Sequence, residues 1–145
     1  MRRVTRNALV PFTAGQMFSL VADIEAYPGF LPWCSTARIE TENGDEVQAR
    51  LEVARGPVRK TFTTLNRHVE DRQIDISLVD GPFRHLQGHW RFDALSEDGC
   101  RVELHLEFEF ASRIIGRLLD PVFNEIANTM VDAFCKRAAD VYGAG

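Results

Sequence analysis

Hydrophobic residues recur at helical spacing near the amino terminus, after a short strand predicted around Val4 to Val10. The apolar positions of this first predicted helix are Met17, Phe18, Leu20, Val21 and Ile24. Thr13 can cap the helix, and Gln16 follows three residues later, which is the spacing of a capping box. We expect Pro28 and Pro32 to end the helix, because proline interrupts helical hydrogen bonding.

Between Cys34 and Phe110 the period of the hydrophobic pattern changes to two. The clearest segment, Arg101 to Phe110, places apolar residues on one face and mostly charged residues on the other. The apolar set is Val102, Leu104, Leu106, Phe108 and Phe110. Turn signals separate the strands at Asn43-Gly44, Gly56-Pro57, Asp80-Gly81-Pro82 and Asp98-Gly99. This pattern predicts an antiparallel meander with one covered face.

A second helical stripe runs through the carboxy-terminal part of the chain. Its apolar positions are Leu118, Leu119, Val122, Phe123, Ile126, Ala127, Met130, Val131, Phe134, Cys135, Ala138, Val141 and Tyr142. We predict a long helix that covers the apolar face of the sheet. This helix starts either near Ile114, with Pro121 inside it, or at Pro121 after an Asp120 cap. The predicted fold class is α+β.

Composition limits the domain count and the cell compartment. The chain has 145 residues, of which 45% are hydrophobic and 26% charged, as expected for a single globular domain over residues 1–145. The longest uncharged run, Asn7 to Ala22, is shorter than the roughly 20 apolar residues of a membrane-spanning helix. No secretory signal is readable after Met1, and the three cysteines lack a C-x-x-C pair. We therefore expect a cytoplasmic protein with reduced thiols.

The charge balance argues against general nucleic-acid binding. Net charge is 17 minus 21, or −4, so the molecule as a whole lacks the positive field that attracts phosphate backbones. Arg55, Arg59 and Lys60 nevertheless form a local basic cluster. Such a cluster is either an ordinary solvated surface or a local contact site for a polyanion, and the sequence leaves both interpretations open.

The histidines do not predict a catalytic centre. We expect His89 and His105 on the solvent face of the sheet and His68 at a strand end, without convergence. His85 and His89 have H-x-x-x-H spacing, but on a strand they stand about 13 Å apart, too far to share one metal ion. No nucleophile, P-loop or dinucleotide motif occurs. The sequence therefore predicts no catalytic residue, no metal site and no cofactor.

Two segments expected to connect elements are unusually apolar and aromatic. Ala26 to Cys34 is uncharged and contains two prolines, and Asp80 to Leu86 carries Phe83 and Leu86. These side chains either surround the entrance of an apolar site or plug the open ends of the sheet–helix sandwich. The sequence alone does not decide between the two interpretations.

Three strings carry a resemblance to a known family and together extend over most of the chain. They are YPGFLPWC from Tyr27, DGPF with LQGHWRF between Asp80 and Phe92, and MVDAF with RA and YG between Met130 and Gly143. They resemble the coenzyme Q-binding protein family. That family also contains the bacterial ribosome association toxin RatA and belongs to the START-like, polyketide cyclase-like superfamily.

The resemblance implies a helix-grip fold. In this fold a curved antiparallel sheet wraps around the long carboxy-terminal helix, short helices follow the first strand, and a tunnel lies between sheet and helix. The implied quinone-binding positions are Phe30, Leu31, Trp33, Phe62, Phe83, Leu86, Trp90, Phe108, Phe123, Met130 and Phe134. We add Ala127, a small residue in the middle of the helical stripe, as an expected tunnel position.

Three functions follow as hypotheses. The first is non-enzymatic binding of ubiquinone or a related isoprenoid lipid, in support of respiratory quinone delivery, with transient contact with the inner membrane surface. The second is RatA-like inhibition of translation, in which Arg55, Arg59 and Lys60 contact the large ribosomal subunit and subunit association is blocked. The third, polyketide cyclase activity, depends on superfamily analogy, which transfers folds more reliably than functions.

Overall fold

One antiparallel sheet of seven strands forms the main layer of the computed structural model, which describes residues 1–143. The strands are β1 (Arg2–Val10), β2 (Cys34–Asn43), β3 (Glu46–Arg55), β4 (Val58–Val69), β5 (Gln73–Asp80), β6 (Phe83–Ala94) and β7 (Cys100–Phe110). Their order in the sheet is β1-β7-β6-β5-β4-β3-β2. The predicted meander is therefore confirmed from β2 to β7, and β1 pairs beside β7.

The first helix, α1 (Ala14–Ala22), begins as predicted and ends earlier than predicted. Thr13 and Gln16 form a reciprocal capping box. Asp23 leaves the helical conformation with φ −82° and ψ 67°, and a 3-10 helix follows over Ile24–Gly29. Pro28 lies inside this 3-10 helix, so the expectation that prolines end α1 is wrong. The chain turns at Asp23 instead.

The structure distinguishes between the two predicted starts of the long second helix, α2 (Arg113–Tyr142). Ser112 caps it by accepting a hydrogen bond from the Ile115 N–H at 3.2 Å, and Pro121 lies inside the helix. The start near Ile114 is therefore the correct alternative. The helix packs on β1, β7 and α1. Among residues 1–143, no helix is both long enough and apolar enough to cross a membrane.

The β4–β5 turn has no glycine or proline and was not predicted. Asp71 occupies it with φ 61°, a left-handed conformation that aspartate tolerates better than most residues. The alternation along β7 is confirmed on its covered face, where Val102, Leu104 and Phe108 are buried. Its outer face is half-buried rather than fully exposed, because side chains of β1 and β6 pack beside it.

Breaks in strand register bend the sheet. The pairing of β2 with β3 contains two register shifts. The pairing of β4 with β5 contains one between Thr63 and Thr64, and the pairing of β6 with β7 contains one between Phe83 and His85. Such bulges locally increase twist and bend the strand that carries them. The bent sheet and α2 together enclose one hydrophobic core, in which Met17, Phe134 and Cys100 are fully buried.

Candidate functional site

A cavity lies between α2 and the concave face of the sheet. Its interior offers about 90 Å³ to the centre of a water molecule, which is room for several waters, so the cavity is narrow. Its wall comes from β3 to β7, the segment from Val21 to Trp33, and α2. Several lining residues, including Leu51 and Met130, are only half-buried, so the cavity is open to solvent.

Seven of the twelve predicted ligand-binding residues line this cavity. They are Trp33, Phe62, Leu86, Trp90, Phe108, Phe123 and Met130. These residues come from the aromatic segment, from inward positions of the three strands β4, β6 and β7, and from α2, and the fold brings them onto one wall. That they contact a ligand stays a prediction.

Five of the twelve residues lie outside the cavity lining: Phe30, Leu31, Phe83, Ala127 and Phe134. Leu31 and Phe134 are core residues, and the Phe134 ring packs edge-on against the Phe30 ring at 5.2 Å. Phe30 is half-buried, with the Arg137 guanidinium carbon 5.0 Å from its ring centroid. Phe30, Leu31 and Phe134 therefore pack behind the residues that line the cavity and do not form its surface.

Ala127, which the sequence analysis places in the tunnel, does not line the cavity. It is 1% exposed and packed in the core, whereas its neighbours on α2, Phe123, Ile126 and Met130, line the cavity. The apolar stripe of α2 is wider than the part of the helix that borders the cavity. At about 100° per residue, Ala127 lies about 40° from Phe123 on the side away from Ile126, so it stands at the edge of the strip of α2 that borders the cavity.

Five phenylalanines form a cluster at one end of the cavity, which we call the aromatic cluster: Phe62, Phe83, Phe108, Phe110 and Phe123. The Phe83 ring meets the Phe123 ring edge-on at 5.0 Å and stacks on Phe110 at 5.3 Å. Phe62, Phe108 and Phe123 also line the cavity. Phe83 thus acts by holding three lining rings in place, since edge-to-face contacts of this kind favour defined geometry.

Sequence reasoning missed ten lining residues. They are Val21, Tyr27, Leu51, Thr64, Asn66, Ile74, Ile76, Leu104, Leu106 and Ile126. Strand parity could have identified part of this set, because Leu104 and Leu106 share a face with Phe108. Two of the missed residues, Thr64 and Asn66, have polar side chains that are hydrogen-bonded to each other. The Thr64 hydroxyl donates a hydrogen bond to Asn66 Oδ1 at 2.9 Å.

Tyr27 borders the cavity without offering it a polar group. Its hydroxyl donates a hydrogen bond to the Val21 carbonyl oxygen. Burial raises the pKa of Tyr27 far above its ordinary value, with smaller contributions from Cys34 and Asp23. The phenol therefore stays protonated and serves as a structural link between α1 and the 3-10 helix.

The histidines converge more than the sequence predicted, but on the outer face of the sheet. His89 and His105 stand opposite each other, with ring centroids 5.5 Å apart. His105 Nε2 lies 2.9 Å from a Glu107 oxygen, and His85 Nε2 lies 4.0 Å from the other oxygen of Glu107. The expectation that they do not converge is therefore wrong. Within the described part of the chain, no group of three or more His, Cys, Asp or Glu side chains could hold a metal ion.

His68 is half-buried rather than a freely solvated residue. Its ring packs edge-on against Phe18 with centroids 5.5 Å apart, and its Nε2 is buried without a hydrogen-bond partner among residues 1–143. Desolvation lowers the pKa of His68, although Glu42 and Asp45 act in the opposite direction.

Burial also suppresses the reactivity of the cysteines. All three thiols are free. Desolvation raises the pKa of Cys34 and of Cys100 to about 11, and it raises the pKa of Cys135 as well. Since the thiolate is the nucleophile, these thiols are poor nucleophiles at neutral pH.

The predicted basic cluster lies on the β3–β4 hairpin. Arg55 forms an ion pair with Glu125 of α2 at 2.9 Å, and Arg59 forms one with Glu52 at 2.7 Å. Lys60 is exposed and makes no ion pair within the described residues. Two of the three positive charges are therefore partly neutralised by neighbouring carboxylates.

Comparison with known proteins identifies the family and its relatives. The model of the family described as "Polyketide cyclase / dehydrase and lipid transport" matches residues 10–135. The chain is 44% identical over 144 residues to "Ribosome association toxin RatA" of Escherichia coli (strain K12), covering 99% of this chain and 91% of that protein. It is 32% identical over 143 residues to "Coenzyme Q-binding protein COQ10 homolog B, mitochondrial" of Xenopus laevis, covering 96% of this chain and 59% of that protein.

Solved structures agree on the fold. The aromatase/cyclase ZhuI from Streptomyces sp. R1128 superposes with a TM-score of 0.85 at 21% identity, covering 99% of this chain and 98% of that chain. A START superfamily protein from Mycobacterium smegmatis gives a TM-score of 0.81 at 23% identity, covering 96% and 98%. The predicted helix-grip fold, a curved antiparallel sheet around a long carboxy-terminal helix, is therefore confirmed.

Proposed function

This chain belongs to the polyketide cyclase, dehydrase and lipid transport family, and we propose that it binds ubiquinone or a related isoprenoid lipid without acting as an enzyme. The observation that carries this proposal is the cavity between α2 and the sheet, whose wall is formed almost entirely by aliphatic and aromatic side chains. The name of the COQ10 relative points to the same ligand class.

The cavity suits a ligand that is mostly hydrocarbon. An isoprenoid chain makes no hydrogen bonds, so its affinity comes from apolar area buried at roughly 25 cal/mol per Å². Because the interior is narrow, at about 90 Å³ for the centre of a water molecule, the ligand enters by displacing half-buried lining side chains such as Leu51 and Met130, and the rest of a long tail lies outside the open mouth.

The non-enzymatic part of the proposal follows from where the ionisable groups lie. The cluster of His85, His105 and Glu107 is on the outer face of the sheet, with the sheet between it and the cavity. General acid–base catalysis requires the group within hydrogen-bonding reach of the reacting atoms. These residues cannot reach a ligand held on the concave side.

Quinones reside in the membrane, so we propose a cytoplasmic protein that contacts the inner membrane surface transiently and supports respiratory quinone delivery or use. In this role the protein shields the apolar ligand from water between membrane encounters. The apolar cavity and its open mouth support this assignment.

The test is extraction of the protein purified from a quinone-producing host, followed by mass spectrometry of the extract. We expect a sub-stoichiometric isoprenoid quinone, and saturable binding of an added short-tail ubiquinone. Leu9→Ala serves as the control because Leu9 is 72% exposed and lies outside the cavity lining. Repeated extracts without any lipid, together with unsaturable binding of the added quinone, would contradict the proposal.

A second candidate function is favoured by the identity to the RatA relatives. Six of the relatives matching this chain carry the name RatA, and one at 46% identity spans 99% of both chains. We therefore also propose association with the large ribosomal subunit through Arg55, Arg59 and Lys60 on the β3–β4 hairpin, in a way that blocks subunit association. Ribosomal RNA is a polyanion, and arginine side chains bind phosphate.

Charge reversal separates the two functions. Replacing Arg55, Arg59 and Lys60 with Glu should abolish co-sedimentation with large subunits at low salt and leave quinone binding unchanged. A matched control replaces Arg84, Arg113 and Arg117, three exposed arginines around the start of α2, with Glu. If the wild-type protein never migrates with subunits, or if both triple variants migrate equally, the hairpin does not bind ribosomes.

A further inference from the structure

Two polar side chains interrupt the otherwise apolar cavity wall on β4. Thr64 and Asn66 are two residues apart on one strand, so both face the concave side together with Phe62. Thr64 is 5% exposed, and Asn66 is half-buried. Ile76 stands opposite Asn66 in the β4–β5 register, so an aliphatic residue borders the amide within the sheet.

The hydrogen bond between the two side chains orients the amide. Thr64 Oγ1 lies 2.9 Å from Asn66 Oδ1 and donates to it. The carbonyl side of the amide therefore accepts from Thr64, and the Nδ2 group carries the two remaining donor hydrogens. Within residues 1–143, the bond with Thr64 is the only hydrogen bond that the Asn66 side chain makes.

An amide donor beside an apolar cavity is costly when a ligand displaces its water without replacing the lost hydrogen bond. A ligand made only of hydrocarbon would leave Nδ2 unpaired. A ligand that carries an oxygen acceptor at the corresponding position satisfies it. On this reasoning, an apolar molecule with an oxygen acceptor at this position binds better than one without it.

We infer that Asn66 Nδ2 donates a hydrogen bond to a carbonyl oxygen on the head of the bound lipid, with Thr64 as the positioning residue that holds the amide in this orientation. The inference rests on the proposed lipid-binding function and specifies the ligand class further. The ligand is an apolar molecule with a carbonyl-bearing head, and that head lies against β4. The remaining apolar body contacts the lining rings Phe108 and Phe123.

Binding of two ligands to the same variants tests this assignment. The probes are a short-tail ubiquinone and an isoprenoid hydrocarbon of equal tail length without the quinone ring. Asn66→Leu preserves approximate volume and removes the donor. It should weaken quinone binding roughly two- to tenfold, which is the range expected for one hydrogen bond, and leave hydrocarbon binding equal or stronger.

Two further variants separate positioning from packing. Thr64→Val removes the hydroxyl with almost no change in shape, so it should weaken quinone binding less than Asn66→Leu and should not weaken hydrocarbon binding. Ile76→Ala is the matched control, because Ile76 lines the cavity opposite Asn66 and has no polar atom. It should weaken both probes by a similar factor.

An infrared measurement on the wild-type protein keeps the test independent of how the variants fold. A hydrogen bond to a quinone carbonyl lowers its stretching frequency, so bound ¹³C-carbonyl quinone should show one shifted carbonyl band, which Asn66→Leu should remove. Unshifted bands in the wild type, or equal weakening of both probes by Asn66→Leu, would overturn the role of Asn66 and leave lipid binding standing. Failure of the wild type to bind either probe would instead overturn the proposed function.

Discussion

Gly88 and His105 approach each other so closely across the β6–β7 pair that a Cβ atom on residue 88 would lie 2.1 Å from the His105 carbonyl oxygen. The same Cβ would lie 2.8 Å from Leu106 Cδ2, and Leu106 is the register partner of Gly88. Glycine in a strand interior marks a tight bend or a close backbone approach. Gly88 therefore permits the close approach of β6 and β7 at this point of the sheet.

Gly88→Ala should consequently destabilise the protein. The added methyl group meets backbone rather than a flexible side chain, so the two strands must separate, at a cost of about 1 to 3 kcal/mol or more. Denaturant unfolding measures the change. Gly29→Ala is the matched control, since a Cβ at Gly29 meets nothing within 4 Å. Equal stability of the two variants would show that the close approach of β6 and β7 does not require glycine at position 88.

Phe134 and Phe108 should differ in their contribution to stability. Both are nearly completely buried, but Phe108 borders the cavity, whereas Phe134 packs among Tyr27, Phe30 and Trp90. We expect Phe134→Ala to cost on the order of 3 to 5 kcal/mol, and Phe108→Ala to cost less, because a ring beside empty space has fewer partner atoms to lose. Denaturant midpoints with unchanged slopes would report the difference, and a larger loss for Phe108→Ala would contradict it.

Ala127 and Met130 provide a test of where α2 borders the cavity. Ala127→Phe should destabilise by about 1 to 3 kcal/mol or more, because the new ring has no free space in the packed core. Met130→Trp should be tolerated, because Met130 lines the cavity and is half-buried. The larger ring should occupy ligand space and reduce quinone binding. Melting temperature and quinone titration measure both effects, and the reverse pattern would place Ala127 on the cavity side.

His68 should make stability depend on pH between its folded and unfolded pKa values. The unfolded side chain binds a proton near its ordinary pKa of about 6.5, whereas burial lowers the pKa of His68 in the folded protein. Between these values the unfolded state holds more protons, so the free energy of unfolding should fall as pH falls below about 6.5 and level off below the folded pKa.

The variant His68→Phe isolates this contribution. It retains an aromatic ring against Phe18 and has no titratable group, so its stability should fall less between about pH 7 and pH 5 than that of the wild type. His89→Phe provides a comparison on the outer face, where His89 lies 3.7 Å from a Glu103 oxygen. If His68→Phe and the wild type show the same pH dependence, another group dominates in that window.

The sequence by itself determined the elements whose causes are local. The capping box of Thr13 and Gln16 depends on residues three apart, and the two faces of β7 depend on alternation between residues such as Val102 and His105. The long apolar stripe likewise determined that α2 covers the sheet. Spacing along one segment contains all the information these features need, because backbone geometry repeats every 3.6 or every two residues.

The tertiary structure alone decided which of these residues meet. The pairing of β6 with β7 brought His89 opposite His105, and the lateral position of α2 over β1 and β7 turned Ile126 toward the cavity and Ala127 into the core. Asn66 became part of an apolar wall only because β3, β5, β7 and α2 surround it. Contacts of this kind depend on strand register and helix placement, which many distant side chains set jointly through packing, so no local pattern specifies them.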